Sequence, residues 1–172
     1  GLVVGGDLDY SDFGVGIYAR TSGTGATASV LNAGEVIAEG YYGAYGIFAN
    51  ASAGFATVDN SGSVRANSPD YNANGIIAQG ALGASVTNSG DVIANGKYAY
   101  GIVAISGQGD ALVQNSGYVL ADGKYAYGVQ AISNLGDATV INSGVIGADG
   151  KYAYGVQAIS VLGDAIVDNS GL

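Results

Sequence analysis

Apolar and polar residues alternate with a period of two along almost the whole chain, in short runs separated by Gly, Asn, Ser and Asp. Alternation of this kind predicts strands with one covered face, and helical spacing fits none of the runs. The runs also recur. Aligned on Asn60-Ser61-Gly62, Asn88-Ser89-Gly90, Asn115-Ser116-Gly117, Asn142-Ser143-Gly144 and Asn169-Ser170-Gly171, with Asn32-Ala33-Gly34 as an imperfect earlier copy, they repeat at intervals of 28, 28, 27, 27 and 27 residues. Each repeat contains three alternating segments.

In the first segment Val36, Val64, Val92, Val119 and Ile146 share one register, and Ala38, Ala66, Ala94, Ala121 and Ala148 follow two residues later. The second begins with a Gly (Gly16, Gly46, Gly75, Gly101, Gly128, Gly155). It then places Ile17, Ile47, Ile76, Ile102, Val129 and Val156 inward, with Ala19, Ala49, Ala78, Ala104, Ala131 and Ala158 two residues on. The third runs from Ala28, Ala56, Ala84, Ala111, Ala138 and Ala165 to Val30, Val58, Val86, Val113, Val140 and Val167, with the Asn register two further on.

One large and one small inward residue per segment describe a three-sided coil with a narrow interior. The predicted fold is therefore all-β, a three-sided parallel β-helix whose successive coils hydrogen-bond about 4.8 Å apart and stack like residues into ladders. Residues 1–172 form one solenoid of about six coils, the first longer than the rest, spanning roughly 29 Å at that rise. Right-handedness is expected from the usual chirality of parallel crossovers. Each inward Val or Ile contributes about 1.5–3 kcal/mol once covered, and only a neighbouring coil can cover it.

Length variation is uneven among the three corners. From the inward Ala of the third segment to the Gly after the Asn is always six residues, whereas the corner between segments one and two runs 11, 8 and 9 residues before settling at 7. That corner holds the only proline, Pro69. Between segments two and three the corner gains two residues after Ala19 and loses one after Ala78.

The Asn register (Asn32, Asn60, Asn88, Asn115, Asn142, Asn169) predicts a structural ladder in which each side-chain amide bridges two coils and satisfies backbone groups at the bend. The Gly that follows is expected to supply a backbone conformation that other residues resist. Lys97-Tyr98-Ala99-Tyr100-Gly101 recurs at Lys124 and Lys151, so two Tyr rows and one Lys row should run down one corner. Such rows either bind sugars or stack on themselves. They are broken in the earlier coils, which carry Phe13 and Val15, Gly43 and Tyr45, then Asn72 and Asn74.

Asp110, Asp137 and Asp164 occupy equivalent positions after a Gly. Stacked carboxylates repel, so they splay into water, bond backbone amides or share a cation. The long first corner, Gly5-Gly6-Asp7-Leu8-Asp9-Tyr10-Ser11-Asp12, is the densest acidic cluster and makes Asp7, Asp9 and Asp12 calcium candidates. Calcium takes about six to eight oxygens, and this spacing lacks the EF-hand's Gly at Asp12 and Glu at Tyr18. Outward apolar residues form a row at Phe48, Ile77 and Val103, which turns to Gln130 and Gln157, while Leu112, Ile141 and Ile166 lie on another face. Contiguous apolar patches usually mark contacts.

Composition narrows the functional classes. With fourteen Asp and Glu against five Lys and Arg the formal charge is −9, which repels nucleic-acid backbones and anionic membranes. Cys, His, Met and Trp are absent, which removes disulfides, thiolate and imidazole metal sites and every His- or Cys-based catalytic arrangement. No run approaches the roughly 20 apolar residues of a membrane-spanning helix. The expectation is a non-enzyme that inserts no segment into a membrane and carries no cofactor, with calcium as the one candidate.

The repeat, with Asn-Ser-Gly before an aliphatic and an Ala two apart and then a Gly-aliphatic-x-Ala strand, resembles the β-helical passenger domains of Gram-negative autotransporters and related large surface adhesins. The resemblance covers essentially the whole chain. It implies export to the cell surface, an elongated stalk or adhesin role, and a C-terminal outer-membrane barrel in a longer parent; self-association or contact with a host or its glycans is the expectation for partners. Gly1-Leu2 and Gly171-Leu172 fall at the same point of the repeat, so a segment of a larger solenoid or an end-to-end fibre is expected. The alternative from another class is a carbohydrate-active β-helix, such as a polysaccharide lyase or phage tailspike. Such enzymes need a basic or paired-acid cleft, and the basic residues here are Arg20, Arg65, Lys97, Lys124 and Lys151. An ice-binding face would need a flat Thr array, which Ser29, Thr57, Ser85, Leu112, Thr139 and Ile166 do not make.

Overall fold

A computed structural model describes residues 1–6 and 12–172. Alternation of apolar residues gives each coil its strands. Coil 1 holds β1 (Leu2–Gly5), β2 (Phe13–Thr21) and β3 (Thr27–Asn32), and coil 2 holds β4 (Glu35–Glu39), β5 (Gly43–Ala51) and β6 (Phe55–Asn60). In coil 3 the first two segments merge into β7 (Ser63–Gly80), followed by β8 (Gly83–Asn88). Coil 4 repeats this with β9 (Asp91–Ser106) and β10 (Ala111–Asn115). Coil 5 separates them again as β11 (Tyr118–Asp122), β12 (Tyr125–Ser133) and β13 (Ala138–Asn142). Coil 6 has β14 (Val145–Asp149), β15 (Tyr152–Ser160) and β16 (Ala165–Asn169).

Every pairing between strands is parallel and joins equivalent residues of adjacent coils, as in Val36 with Val64 and Val113 with Val140. The molecule is thus an all-β parallel solenoid of six turns, as the repeat predicts. Because β7 and β9 run through the corner between segments one and two, those faces form one ten-stranded sheet, and the third segments form a separate six-stranded sheet. Pro69, which has no N–H to give a ladder, falls where the pairing of β7 with β9 shifts between Ser68 and Asn72. No helix among the described residues is long and apolar enough to cross a membrane.

The interior contains two cores. The larger joins the inward Val and Ile of all three segments with the Ala of the second and third. The smaller is built of alanine alone: Ala38, Ala66, Ala94 and Ala121 from the first segment meet Ala44, Ala73, Ala99 and Ala126 from the start of the second. The second segment therefore begins before its recurring Gly, not on it. Ala99 and Ala126, which lie between the Tyr rows expected to run down a corner, are fully buried. Methyl groups facing methyl groups allow the two backbones to approach closely at this corner.

The Gly of the second segment marks the boundary between the two cores. A methyl group at Gly46 would run into a methyl of Val64 in the next coil, and Gly75 stands in the same relation to Val92 and Gly101 to Val119. The inward Val of one coil thus fills the space that a side chain at that Gly would need.

Candidate functional site

The Asn register forms an unbroken ladder. Nδ2 of Asn32 donates to Oδ1 of Asn60 at 2.7 Å, and the same bond links Asn60 to Asn88, Asn88 to Asn115, Asn115 to Asn142 and Asn142 to Asn169. Each of these Asn residues also donates to the carbonyl of the Gly two residues on, as Asn88 does to Gly90 at 3.0 Å. Asn60 and Asn88 are fully buried, so these side chains are satisfied without solvent. The Gly of the Asn-Ser-Gly phrase does not adopt a left-handed conformation. Positive φ among the described residues is confined to Gly6 and Gly25. Its reason is space: a Cβ at Gly62, Gly90 or Gly117 would fall on the carbonyl oxygen of the equivalent Gly one coil earlier.

The Tyr rows stack face over face. Tyr98, Tyr125 and Tyr152 lie 4.9 and 5.0 Å apart at angles of 8° and 10°, and Tyr100, Tyr127 and Tyr154 lie 5.1 and 5.2 Å apart at 4° and 7°. Near-parallel rings at this separation must overlap, so each covers a face of its neighbour. A sugar needs a free ring face, and between stacked rings only edges remain, the outer faces of Tyr152 and Tyr154 standing at the exposed end of the rows. Along the rows the rings thus stack on one another, with Lys97, Lys124 and Lys151 set 5.8, 5.5 and 5.5 Å from the centroids of Tyr98, Tyr125 and Tyr152. Burial, and then repulsion from Tyr127 and Tyr98, raises the pKa of the Tyr100 phenol.

Aromatic character at this corner does not end where the rows break. Tyr41, Tyr42 and Tyr71 form a cluster with centroids 5.1 to 5.8 Å apart, and Phe13 joins it through Tyr42 at 6.2 Å. Tyr41, Tyr42 and Tyr71 sit in the insertions of coils 2 and 3, out of repeat register, where the repeat gives no signal for them, whereas Phe13 stands in register with the Tyr98 row.

The Asp column bonds backbone amides. Oδ1 of Asp110 accepts from the N–H of Asp137 at 2.9 Å, and Oδ1 of Asp137 accepts from that of Asp164 at 2.8 Å. Serines complete this corner: the hydroxyl of Ser133 donates to the carbonyl of Gly109 and that of Ser160 to Gly136, each at 2.8 Å. Of the calcium candidates, Asp7 and Asp9 lie outside the described residues. Asp12 is half-buried, and its carbonyl accepts from the N–H of Tyr42 at 3.1 Å. No group of three or more His, Cys, Asp or Glu among the described residues could hold a metal ion.

The outward apolar row on the second segment is far less exposed than its position suggests. Val103 is 5% exposed and Gln130 7%, since each is flanked in register by a side chain of the coil on either side. Nε2 of Gln130 donates to Oε1 of Gln157 at 2.6 Å, which continues the row as a polar ladder. Phe48, Ile77 and Val103 are in register as the sequence predicts, and Leu112, Ile141 and Ile166 lie on another face, in two adjacent rows of it. Leu112 pairs with Thr139 and Thr139 with Ile166, whereas Ile141 stands between Gln114 and Asp168.

No protein-family model, curated protein or solved structure matches this chain. The parallel β-solenoid with its asparagine ladder is an architecture that many β-helix families share.

Proposed function

We propose that this chain is a non-catalytic structural segment of an extracellular bacterial surface protein, a stiff stalk similar in kind to autotransporter passengers and large adhesins. The observation that carries this reading is the Asn ladder, which runs without a gap from coil 1 to coil 6. Parallel Tyr and Asp columns join coils 4, 5 and 6 a second and a third time. Side chains that bind coil to coil along three separate lines resist bending and shear, as a stalk requires. They are also engaged with one another, so contacts with like chains or host glycans fall elsewhere, on the variable corners and outer faces.

Antibodies raised against the chain, applied to intact and to permeabilised cells of the source organism, test the placement. Labelling of intact cells, removed by external protease, is the expected result. Labelling only after permeabilisation contradicts it. Incubation with acidic polysaccharides tests the non-catalytic part, and release of reducing ends or unsaturated products would overturn it.

A further inference from the structure

The outward side of the second segment differs from the rest of the surface in charge. Its rows start at Val15, Tyr18 and Arg20 and pass in strand register through every coil to Tyr154, Gln157 and Ile159. No Asp or Glu stands in any of them, and Arg20 is their one charged residue. By contrast, the first segment presents exposed Glu35, Asp91, Asp122 and Asp149, and the third presents exposed Asp59 and Asp168. The rows are continuous. Phe48, in the central row, stacks on Tyr45 of the Val15 row at 5.8 Å and lies 5.3 Å from Tyr18 of its own.

Polarity changes in step along the two flanking rows. In coils 4, 5 and 6 the Val15 row presents Tyr100, Tyr127 and Tyr154, and the Arg20 row presents Ile105, Ile132 and Ile159. In coil 3 both turn polar, at Asn74 and Gln79. Coils about 4.8 Å apart and strand residues about 3.3 Å apart give the face roughly 500 Å². Two such faces together reach the roughly 1,000 Å² that a specific interface needs. Chains of net charge −9 repel one another, so they approach at least cost on the side that carries no acid.

We propose that this face pairs with the same face of a second copy of this chain, the two solenoids lying side by side and parallel, related by a two-fold axis along the central row. Rotation about that axis keeps each coil at its own height and exchanges the flanking rows. Tyr100, Tyr127 and Tyr154 then meet the second copy's Ile105, Ile132 and Ile159, Asn74 meets its Gln79, and the central row meets itself. In coils 1 and 2 Arg20 and Asn50 face Val15 and Tyr45, which matches less well. A two-fold axis across the rods would be worse, since it sets Arg20, Asn50 and Gln79 against Ile159, Ile132 and Ile105, polar on apolar throughout. A partner must also keep step with a repeat of about 4.8 Å through all the coils, and a copy of the chain does so without adjustment. The pairing supplies a like-chain contact for the structural role proposed above and rests on that reading. Oligomeric state in solution tests it apart from cellular placement.

Sedimentation velocity of the chain over micromolar to millimolar concentrations provides the test. A monomer should pass to a dimer, and to nothing larger, as concentration rises. Ile132→Glu and Tyr127→Lys should each weaken dimerisation by at least about tenfold, because each buries a charge without a partner in the contact. An equimolar mixture of the two should restore it, since parallel pairing sets the new Glu of one copy against the new Lys of the other. Thr139→Glu, on the outward side of the third segment, should leave the dimer intact. Circular dichroism checks the fold of each variant, and Ile159→Glu, at a position already 39% exposed, repeats the test where folding is not at stake. A chain that stays monomeric throughout, polymers that outgrow the dimer, loss of the dimer in Thr139→Glu, or no rescue on mixing would each overturn the proposal. The first of these would leave the face to a different chain.

Discussion

Asn88 and Asn115, 27 residues apart, are joined side chain to side chain, with Nδ2 of Asn88 donating to Oδ1 of Asn115 at 2.8 Å. Asn115 passes the bond on to Asn142 at 2.8 Å and also donates to the carbonyl of Gly117 at 3.2 Å. Asn115→Ala would therefore strand a buried donor on Asn88 and two acceptors, on Asn142 and Gly117. The expected cost is about 1–3 kcal/mol in denaturant unfolding. Asn169→Ala, at the exposed end of the ladder, should cost clearly less. Equal and negligible effects would mean that the ladder carries no stability.

Gly90 and Gly25 are required for different reasons, and substitution should separate them. A Cβ at Gly90 would overlap the carbonyl oxygen of Gly62, while Gly25, at φ 70°, has nothing within 4 Å of its Cβ position. Gly90→Ala is expected to cost about 1–3 kcal/mol or more through forced displacement of backbone. Gly25→Ala should cost about 1–2 kcal/mol through left-handed strain alone. Gly25→Asn should recover part of that loss, since Asn tolerates this region, whereas Gly90→Asn should recover nothing. Thermal melts of the four variants decide the matter.

Much of this architecture was legible in the sequence because a ladder position must satisfy the same environment in every coil. The Asn of Asn115 and the inward Val of Val113 recur for that reason, and so did the six coils. The alanine core was hidden, because in Lys97-Tyr98-Ala99-Tyr100 alternation says only that Ala99 opposes the tyrosines and not what it meets. The Tyr41, Tyr42 and Tyr71 cluster was hidden because insertions carry it out of register. Outward Val103 read as exposed, since strand periodicity records direction and not cover by neighbouring coils. Nor does the repeat reveal that Gly62 is required by the approach of Gly34 and not by its own φ.

The Asp column distinguishes a hydrogen bond from a charge. Asp137→Asn keeps the oxygen that accepts from Asp164 and should be close to neutral, whereas Asp137→Ala should cost about 0.5–1.5 kcal/mol. Chelators should leave the melting temperature of the wild-type chain unchanged. A shared cation at this column would reverse the pattern, with Asp137→Asn as damaging as Asp137→Ala and a chelator effect in the wild type.

Tyr100 makes stability depend on pH in the alkaline range. Its phenol is held protonated in the folded state by burial first, and then by Tyr127 and Tyr98, so its folded pKa lies above that of the unfolded chain. The folded form then retains a proton that the unfolded form releases, and stability falls as pH rises above the ordinary Tyr value of about 10. Below that value the contribution is fully present. Tyr100→Phe should flatten the decline of melting temperature in this alkaline range, and an unchanged slope would remove Tyr100 as its source.

The stiffness attributed to this solenoid depends on coils that are locked to one another, and hydrogen exchange of side-chain carboxamides reads that locking directly. The protons of Asn60, Asn88, Asn115 and Asn142 should exchange orders of magnitude more slowly than those of exposed Asn134, and should do so together, released only when the whole stack unfolds. Exchange of the ladder amides at the rate of Asn134 would contradict the account.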